Sequence, residues 1–149
     1  MKLIEQAAWA YWRGGLSIVP INNRTKRPYS KLLPQAKSEA GNPLWIKRLD
    51  DGSYIETEEN TGAPKGTWAP FQDRQPTEGE INRWLQAGVQ SLAVIGGPVS
   101  GGVEILDFDV PGYYEQWAEV VAPDADGLPV QRTGGGGIQV AYRCPTPGP

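Results

Sequence analysis

Two carboxylates separated by one residue, Asp107 and Asp109, are the side chains of this sequence best suited to chemistry. They end a β-rich run, and alternate side chains of a strand share a face, so both are predicted to project together while Phe108 points the other way. Such a pair repels, and a hard divalent cation with oxygen ligands, Mg²⁺ or Mn²⁺, relieves the repulsion. In phosphoryl chemistry a pair like this can hold two ions. The alternative is a solvated turn in which Asp109 caps a following helix.

Four consecutive glycines within residues 131–139 form a second candidate site. Glycine lets the backbone approach a ligand closely, and consecutive N–H groups can make an anion-binding nest, to which Arg132 and Thr133 would add donors. The alternative is a flexible hairpin turn. The segment is neither a Walker loop nor a dinucleotide fingerprint, because Gly-Lys-Ser/Thr is absent and a strand, not a helix, is predicted to follow.

Basic charge is concentrated early in the chain, although the formal net charge is −3. Residues 24–48 hold seven basic side chains and one acidic one, whereas residues 49–149 hold five basic and fifteen acidic ones. A polyanionic partner would therefore meet the early segment. Tyr29, Trp45 and Trp68 could stack on bases there. The alternative is an ordinary solvated loop.

Three helices are predicted from hydrophobic periodicity and stop signals. The first ends before Gly14, and the second runs from a capping box formed by Thr77 and Glu80 to Gly88. The third follows Pro111, which suits a first helical turn.

β-Rich runs between turn residues predict the strands and complete the fold. They lie at residues 16–21, 91–95, 103–109, 130–133 and 138–143, with a small hairpin at 45–56 turning at Asp51-Gly52. The glycine-rich segment 96–102 is long enough to join two of them in an antiparallel hairpin. Residues 22–70 otherwise form an elaborated basic loop, and residues 145–149 hold no regular structure. We therefore predict one α+β domain over residues 1–149, with a mostly antiparallel sheet flanked by helices.

Missing residue types exclude several function classes. Without histidine, the chain cannot form a Ser-His-Asp or Cys-His relay or a His-Glu-x-x-His zinc site. With Cys144 as its lone cysteine, it forms no internal disulfide and no cysteine-rich zinc site. The sequence has no run of about 20 apolar residues and no signal peptide, so we expect a soluble cytoplasmic protein without a membrane partner.

The order of these segments resembles the N-terminal domain of bifunctional DNA primase-polymerases, of the archaeo-eukaryotic primase superfamily common on plasmids and phages. The resemblance covers nearly the whole chain. Its segments are Gly-Leu-Ser-Ile-Val-Pro-Ile, Lys-Arg-Pro, Pro-Thr-Glu-Gly-Glu-Ile-Asn-Arg-Trp, Leu-Ala-Val-Ile-Gly, Ile-Leu-Asp-Phe-Asp and Arg-Thr-Gly-Gly-Gly-Gly-Ile-Gln-Val-Ala-Tyr-Arg. It implies a catalytic core related to an RNA-recognition-motif sheet, two divalent ions, nucleoside triphosphates and a single-stranded DNA template, with a helicase domain or subunit as a further candidate partner.

The resemblance also implies a role for each matching residue. Asp107 and Asp109 match the catalytic acidic motif and would ligate the two Mg²⁺ or Mn²⁺ ions. The nucleotide would be bound at the glycine-rich entry to the next motif, where the family has a histidine and this chain has a neutral amide; these residues are Thr133, Gly134, Gly135, Gly136 and Gln139. Template would be bound by the basic residues around the Lys-x-Pro element, which are Arg24, Lys26, Arg27 and Lys31. The family has a third acidic motif further on, so we expect the domain to be incomplete at its C-terminal end.

Two other functions compete with template-directed nucleotidyl transfer. A catalytically impaired nucleic-acid-binding or docking module of a replication protein is favoured by Gln139 and by the short chain. A phosphatase of the haloacid-dehalogenase type shares the Asp-x-Asp motif, but it needs a downstream lysine and none follows Lys65.

Overall fold

The computed structural model describes residues 2–146. The chain divides into two compact units, Met1–Ile95 and Gly96–Pro149. The elements are α1 (Leu3–Arg13), β1 (Ser17–Ile21), β2 (Trp45–Arg48), β3 (Tyr54–Thr57), α2 (Glu78–Gln86), β4 (Ser91–Ile95), β5 (Val103–Phe108), α3 (Tyr113–Val121), β6 (Val130–Arg132) and β7 (Ile138–Arg143). Every strand pair among the described residues is antiparallel. The predicted α+β class is confirmed, with the strands grouped as β1-β4, β2-β3 and β5-β7-β6.

The first unit is built around the strand pair β1-β4. Four of the five residues of β1 are buried. Ala8 of α1 and the Ile81 and Trp84 side chains of α2 belong to the same apolar cluster as Ile18 and Phe71. The predicted helical periodicities therefore identify the faces that make this core.

The start of α2 follows from the predicted capping box. The hydroxyl of Thr77 accepts from the Glu80 N–H at 3.2 Å, and the Glu80 carboxylate accepts from the Thr77 N–H at 2.7 Å. Arg74 donates two hydrogen bonds to the same carboxylate, at 2.8 and 2.9 Å. The Arg74 guanidinium is the main reason why the pKa of Glu80 is lowered. This cluster fixes the entry to the helix that supplies Trp84 to the core.

Residues 22–70 are folded as a network of short pairings. The predicted hairpin is confirmed as β2 and β3, and Gly52 in its turn has a φ of 85°. Backbone bonds from Ala36 N to the Lys65 carbonyl and from Leu44 N to the Ala36 carbonyl, both 2.8 Å, connect the rest of the segment. The elaborated loop predicted here is therefore an ordered, ladder-like extension of the first unit.

The second unit is the sheet β5-β7-β6 with α3 on one face. Phe108 of β5 contacts Tyr114 and Trp117 of α3, with ring centroids 5.8 and 5.4 Å apart. Val140 in the central strand β7 is fully buried. Phe108 therefore points towards the helix, and the strand alternation leaves Asp107 on the other face of the sheet.

One prediction from the sequence is wrong, and another falls partly outside the described residues. The predicted hairpin between strands 91–95 and 103–109 is wrong, because β4 pairs with β1 and β5 pairs with β7. The segment between them closes on itself instead, with Gly97 N donating to the Val103 carbonyl at 2.7 Å and Gly102 N donating to the Gly97 carbonyl at 3.0 Å. Of the tail predicted to be irregular, residues 147–149 lie outside the described residues.

Within residues 2–146, no helix combines the length and the apolar character that a membrane span requires.

Candidate active site

The pairing of β5 with β7 brings Asp107 to Gln139. The two residues are directly opposite in the antiparallel register. The side-chain amide of Gln139 donates to Asp107 Oδ2 at 3.3 Å. Asp107 is exposed and Gln139 half-buried, so the pair lies where a ligand can reach it. Gln139, predicted to contact nucleotide, thus also orients a carboxylate predicted to bind metal.

Asp109 lies against the glycine-rich bend between β6 and β7. A Cβ placed on Gly137 would be 2.9 Å from Asp109 Oδ1, 3.1 Å from Thr133 Oγ1 and 3.2 Å from the Phe108 carbonyl oxygen. Gly137 is buried by these neighbours, so the absence of a side chain at this position makes room for the Asp109 carboxylate. Nothing in the sequence distinguishes Gly137 from the other glycines of the bend, since only the fold shows which of them the carboxylate approaches.

The alternative in which Asp109 caps the third helix does not match the structure. The N-cap of α3 is Gly112, and no side chain caps this helix. Asp109 therefore has no capping role that would account for its carboxylate, which is exposed.

The bend itself is closed by Thr133. Its N–H donates to the Gly137 carbonyl at 2.8 Å, its carbonyl accepts from Gly136 N at 3.0 Å, and its hydroxyl accepts from Gly137 N at 3.0 Å. Gly136 has a φ of 89°, which glycine adopts without strain. Among the described residues nothing accepts a hydrogen bond from the N–H groups of Gly134 and Gly135, which are exposed. The bend therefore offers two adjacent amide donors to an anion.

The electrostatics of this site favour a cation. No lysine or arginine in the described part of the chain forms an ion pair with Asp107 or Asp109. Within that part, no group of three or more His, Cys, Asp and Glu side chains is placed to hold a metal. The protein ligands available here are thus two carboxylates and the amide oxygen of Gln139, a hard oxygen donor set that fits Mg²⁺ or Mn²⁺ completed by water or phosphate oxygens.

The predicted template-binding residues Arg24, Lys26, Arg27 and Lys31 lie in the first unit, and all four are exposed. Their loop follows β1 and is fixed by Asn22, whose side-chain oxygen accepts from the N–H groups of Arg24 and Thr25 at 2.9 and 3.3 Å. This turn holds the basic side chains in a defined loop after a buried strand.

One later basic residue of the early segment is neutralised. Lys47 forms an ion pair with Glu59 at 2.9 Å. The net charge of residues 24–48 therefore overstates by this one pair the charge available to a polyanion. Of the proposed stacking residues, Trp68 is exposed, whereas Tyr29 and Trp45 are half-buried.

The family model described as bifunctional DNA primase/polymerase, N-terminal, matches residues 8–148. No curated protein matches the chain. The family match spans both compact units and includes every candidate residue described above.

Proposed function

This chain belongs to the bifunctional DNA primase/polymerase N-terminal family, and we propose that it performs metal-dependent nucleotidyl transfer from nucleoside triphosphates on a single-stranded DNA template. The setting we propose is the replication of a plasmid or phage. The observation that carries the proposal is that Asp107 lies opposite Gln139 of β7, while Asp109, just after β5, approaches Gly137 of the bend that precedes β7. Two carboxylates without a basic partner, next to a bend with free backbone N–H donors, are suited to bind a metal-bound triphosphate.

Each element of the second unit has a defined part in this proposal. Asp107 and Asp109 would hold one or two divalent ions, Mg²⁺ or Mn²⁺. A bound ion supplies positive charge against the triphosphate and lowers the pKa of the attacking 3′-hydroxyl. Gln139 holds Asp107 in place across the sheet. Asp109 lies close to Gly137, whose lack of a side chain leaves room for its carboxylate.

The glycine bend would bind the triphosphate. The amides of Gly134 and Gly135 are adjacent donors without an acceptor among residues 2–146, and backbone amides bind phosphate oxygens well. Thr133 keeps the bend closed through its backbone and hydroxyl, and Gly136 supplies the left-handed residue. The bend thus offers backbone donors to the phosphates, and the exposed Arg132 directly before it would add a basic donor.

The test is metal binding and nucleotide incorporation by variants of the acidic pair. We expect Asp107→Asn and Asp109→Asn each to weaken Mn²⁺ binding about tenfold or more, followed by electron paramagnetic resonance, and to remove primer extension. Asp126→Asn is the matched control, because Asp126 is an exposed aspartate of the same unit that lies in the loop before β6. Equal Mn²⁺ affinity in all three variants and the wild type would contradict the proposal.

A nucleic-acid-binding module without catalysis is the second candidate. It is favoured by Gln139, whose neutral amide already donates to Asp107 and adds no positive charge towards a triphosphate. This reading predicts binding of single strands that weakens steeply with salt, together with no primer synthesis or extension in Mn²⁺. Detectable extension that is lost in Asp107→Asn would exclude it.

A further inference from the structure

The basic loop of the first unit encloses a groove that only some of its charges face. The groove has a volume of about 540 Å³ and is lined by Arg27, Lys31, Tyr29, Ser30 and Thr25, among others. Arg24 and Lys26, from the same basic loop, do not line it. Its volume falls within the roughly 300–1,000 Å³ typical of small-ligand pockets. The four basic residues that the sequence grouped together are therefore two different pairs.

The walls of the groove are preorganised. Asn22 N donates to the Arg27 carbonyl at 2.9 Å, and Tyr29 N donates to the carbonyl of Pro20 in β1 at 2.8 Å. On the other side, Gly66 N donates to the Ser30 hydroxyl at 3.0 Å. Gly66 packs so closely on the Ser30 backbone that a side chain there would overlap the Ser30 carbonyl. The lining is held from both sides, and little ordering remains for a ligand to induce.

The charge of the groove is uncompensated. Among residues 2–146, neither Arg27 nor Lys31 forms an ion pair with a carboxylate, whereas the carboxylates of Glu56 and Glu59 are engaged by lysines. Tyr29 packs partly against the apolar core and also lines the groove. Two cations, hydroxyl groups and one aromatic ring with a fixed position are the groups that recognise a phosphate joined to a base.

We propose that this groove is a discrete nucleotide-binding site, in which Arg27 and Lys31 bind the phosphate and Tyr29 contacts the base. The site rests on the proposed function only for the class of ligand, since its geometry is independent of Asp107 and Asp109. The same chemistry is presented by an internal nucleotide of a single strand and by a free nucleoside triphosphate. The arms of the experiment separate these two sources.

The experiment compares two double variants with the same loss of charge. Arg27→Gln/Lys31→Gln alters the groove, and Arg24→Gln/Lys26→Gln alters basic residues outside it. Binding of an oligo(dT) octanucleotide and of dTTP is measured with the whole chain by fluorescence anisotropy or calorimetry across a salt series. A diffuse basic surface would lose affinity equally in both variants, because each removes two cations.

We expect the groove variant to bind at least one probe about tenfold more weakly than the control variant does. A loss confined to the octanucleotide identifies a strand as the ligand, and a loss for dTTP identifies a free nucleotide. Tyr29→Leu is expected to weaken binding of that same probe, and Tyr29→Phe to restore it, because phenylalanine keeps the ring. Equal losses in the two double variants would overturn the proposal.

Failure of the groove and failure of the proposed transfer activity can be told apart. Asp107 and Asp109 do not line the groove, so the difference between the two basic double variants should persist when Asp107→Asn/Asp109→Asn is added to both. If the two basic variants differ in binding but the protein never extends a primer, the groove proposal stands and the transfer proposal fails. If the protein extends a primer but the two basic variants bind equally, the transfer proposal stands and the groove proposal fails.

Discussion

Substituting Gly137 by alanine isolates the contact that places Asp109. An added Cβ would lie 2.9 Å from Asp109 Oδ1, 3.1 Å from Thr133 Oγ1 and 3.2 Å from the Phe108 carbonyl. Ordinary van der Waals contact begins at about 3.4 Å, so the carboxylate oxygen must retreat by about 0.5 Å. The carboxylate is the end of a side chain and can rotate away, whereas the Phe108 carbonyl belongs to the strand backbone. Gly137→Ala should therefore displace Asp109 first.

The size of the effect follows from these distances. Overpacking of a tight site costs about 1–3 kcal/mol, and we expect the low end because the closest neighbour is mobile. Function should suffer more than stability, since catalytic groups must be held to within about 0.5 Å and a misplacement of about 1 Å can cost about 100-fold in rate. We expect about 1 kcal/mol lower unfolding free energy and a decrease of about ten- to 100-fold in primer extension.

Two neighbouring glycines provide the controls. A Cβ on Gly135 meets nothing within 4 Å, and the residue lacks a positive φ. Gly135→Ala should therefore change neither the equilibrium constant of unfolding nor the rate of primer extension by more than about twofold. Gly136 has a φ of 89°, so Gly136→Ala should lower stability through backbone strain without a clash at Asp109. Urea denaturation, Mn²⁺ binding and primer extension are measured on all three variants. The reasoning fails if Gly137→Ala binds Mn²⁺ and extends primers as well as Gly135→Ala does.

Three further outcomes are expected. Arg74 lowers the pKa of Glu80, so the stability that this carboxylate contributes is complete above the ordinary carboxyl pKa and is lost as the pH falls below it. Urea denaturation between pH 7 and 3 should therefore show a smaller loss of unfolding free energy for Glu80→Gln than for the wild type. Gln139→Glu places a third carboxylate opposite Asp107, so calorimetry should show tighter Mn²⁺ binding and weaker binding of metal-free nucleoside triphosphate. Thr133→Val removes the hydroxyl acceptor that closes the bend, which should cost about 1 kcal/mol in urea denaturation and weaken triphosphate binding.

Local signals in the sequence were enough for the first two helices, whereas Pro111, predicted in the first turn of the third, lies one residue before its N-cap, Gly112. The capping box at Thr77 and Glu80 forms as predicted, and Gly88, with a φ of 79°, follows the end of α2. These features depend on residues within one or two turns of each other, so their energetics can be read from spacing alone. The small hairpin at Gly52 is predicted for the same reason, since a turn residue with positive φ lies between two β-rich runs.

Strand pairing was harder to predict because it is set by contacts between distant residues. The pairing of β4 with β1 joins Ile95 to Ser17, and these positions are far apart in the chain. A hairpin between β4 and β5 is equally compatible with the apolar pattern. Gly97 and Val103 form one antiparallel bridge, but the pairing does not continue, because β4 pairs with β1 and β5 with β7. For the same reason, the sequence pointed to Asp107, Asp109 and the bend, but not to Gly137 as the glycine that the carboxylate approaches.

The ion pairs of this chain have structural roles, whereas the charged residues proposed to bind ligands have no ionic partner among residues 2–146. The ion pairs of the described part, Lys47–Glu59, Lys65–Glu56 and Arg74–Glu80, stabilise the hairpin region and the start of α2. Asp107 and Asp109 share one edge without a cation, and Arg27 and Lys31 share one groove without an anion. Like charges held together in a folded chain reduce its stability unless a ligand of opposite charge binds. The acidic pair is therefore suited to a cation and the basic groove to an anion, which is why we propose a metal ion and a nucleotide phosphate as their ligands.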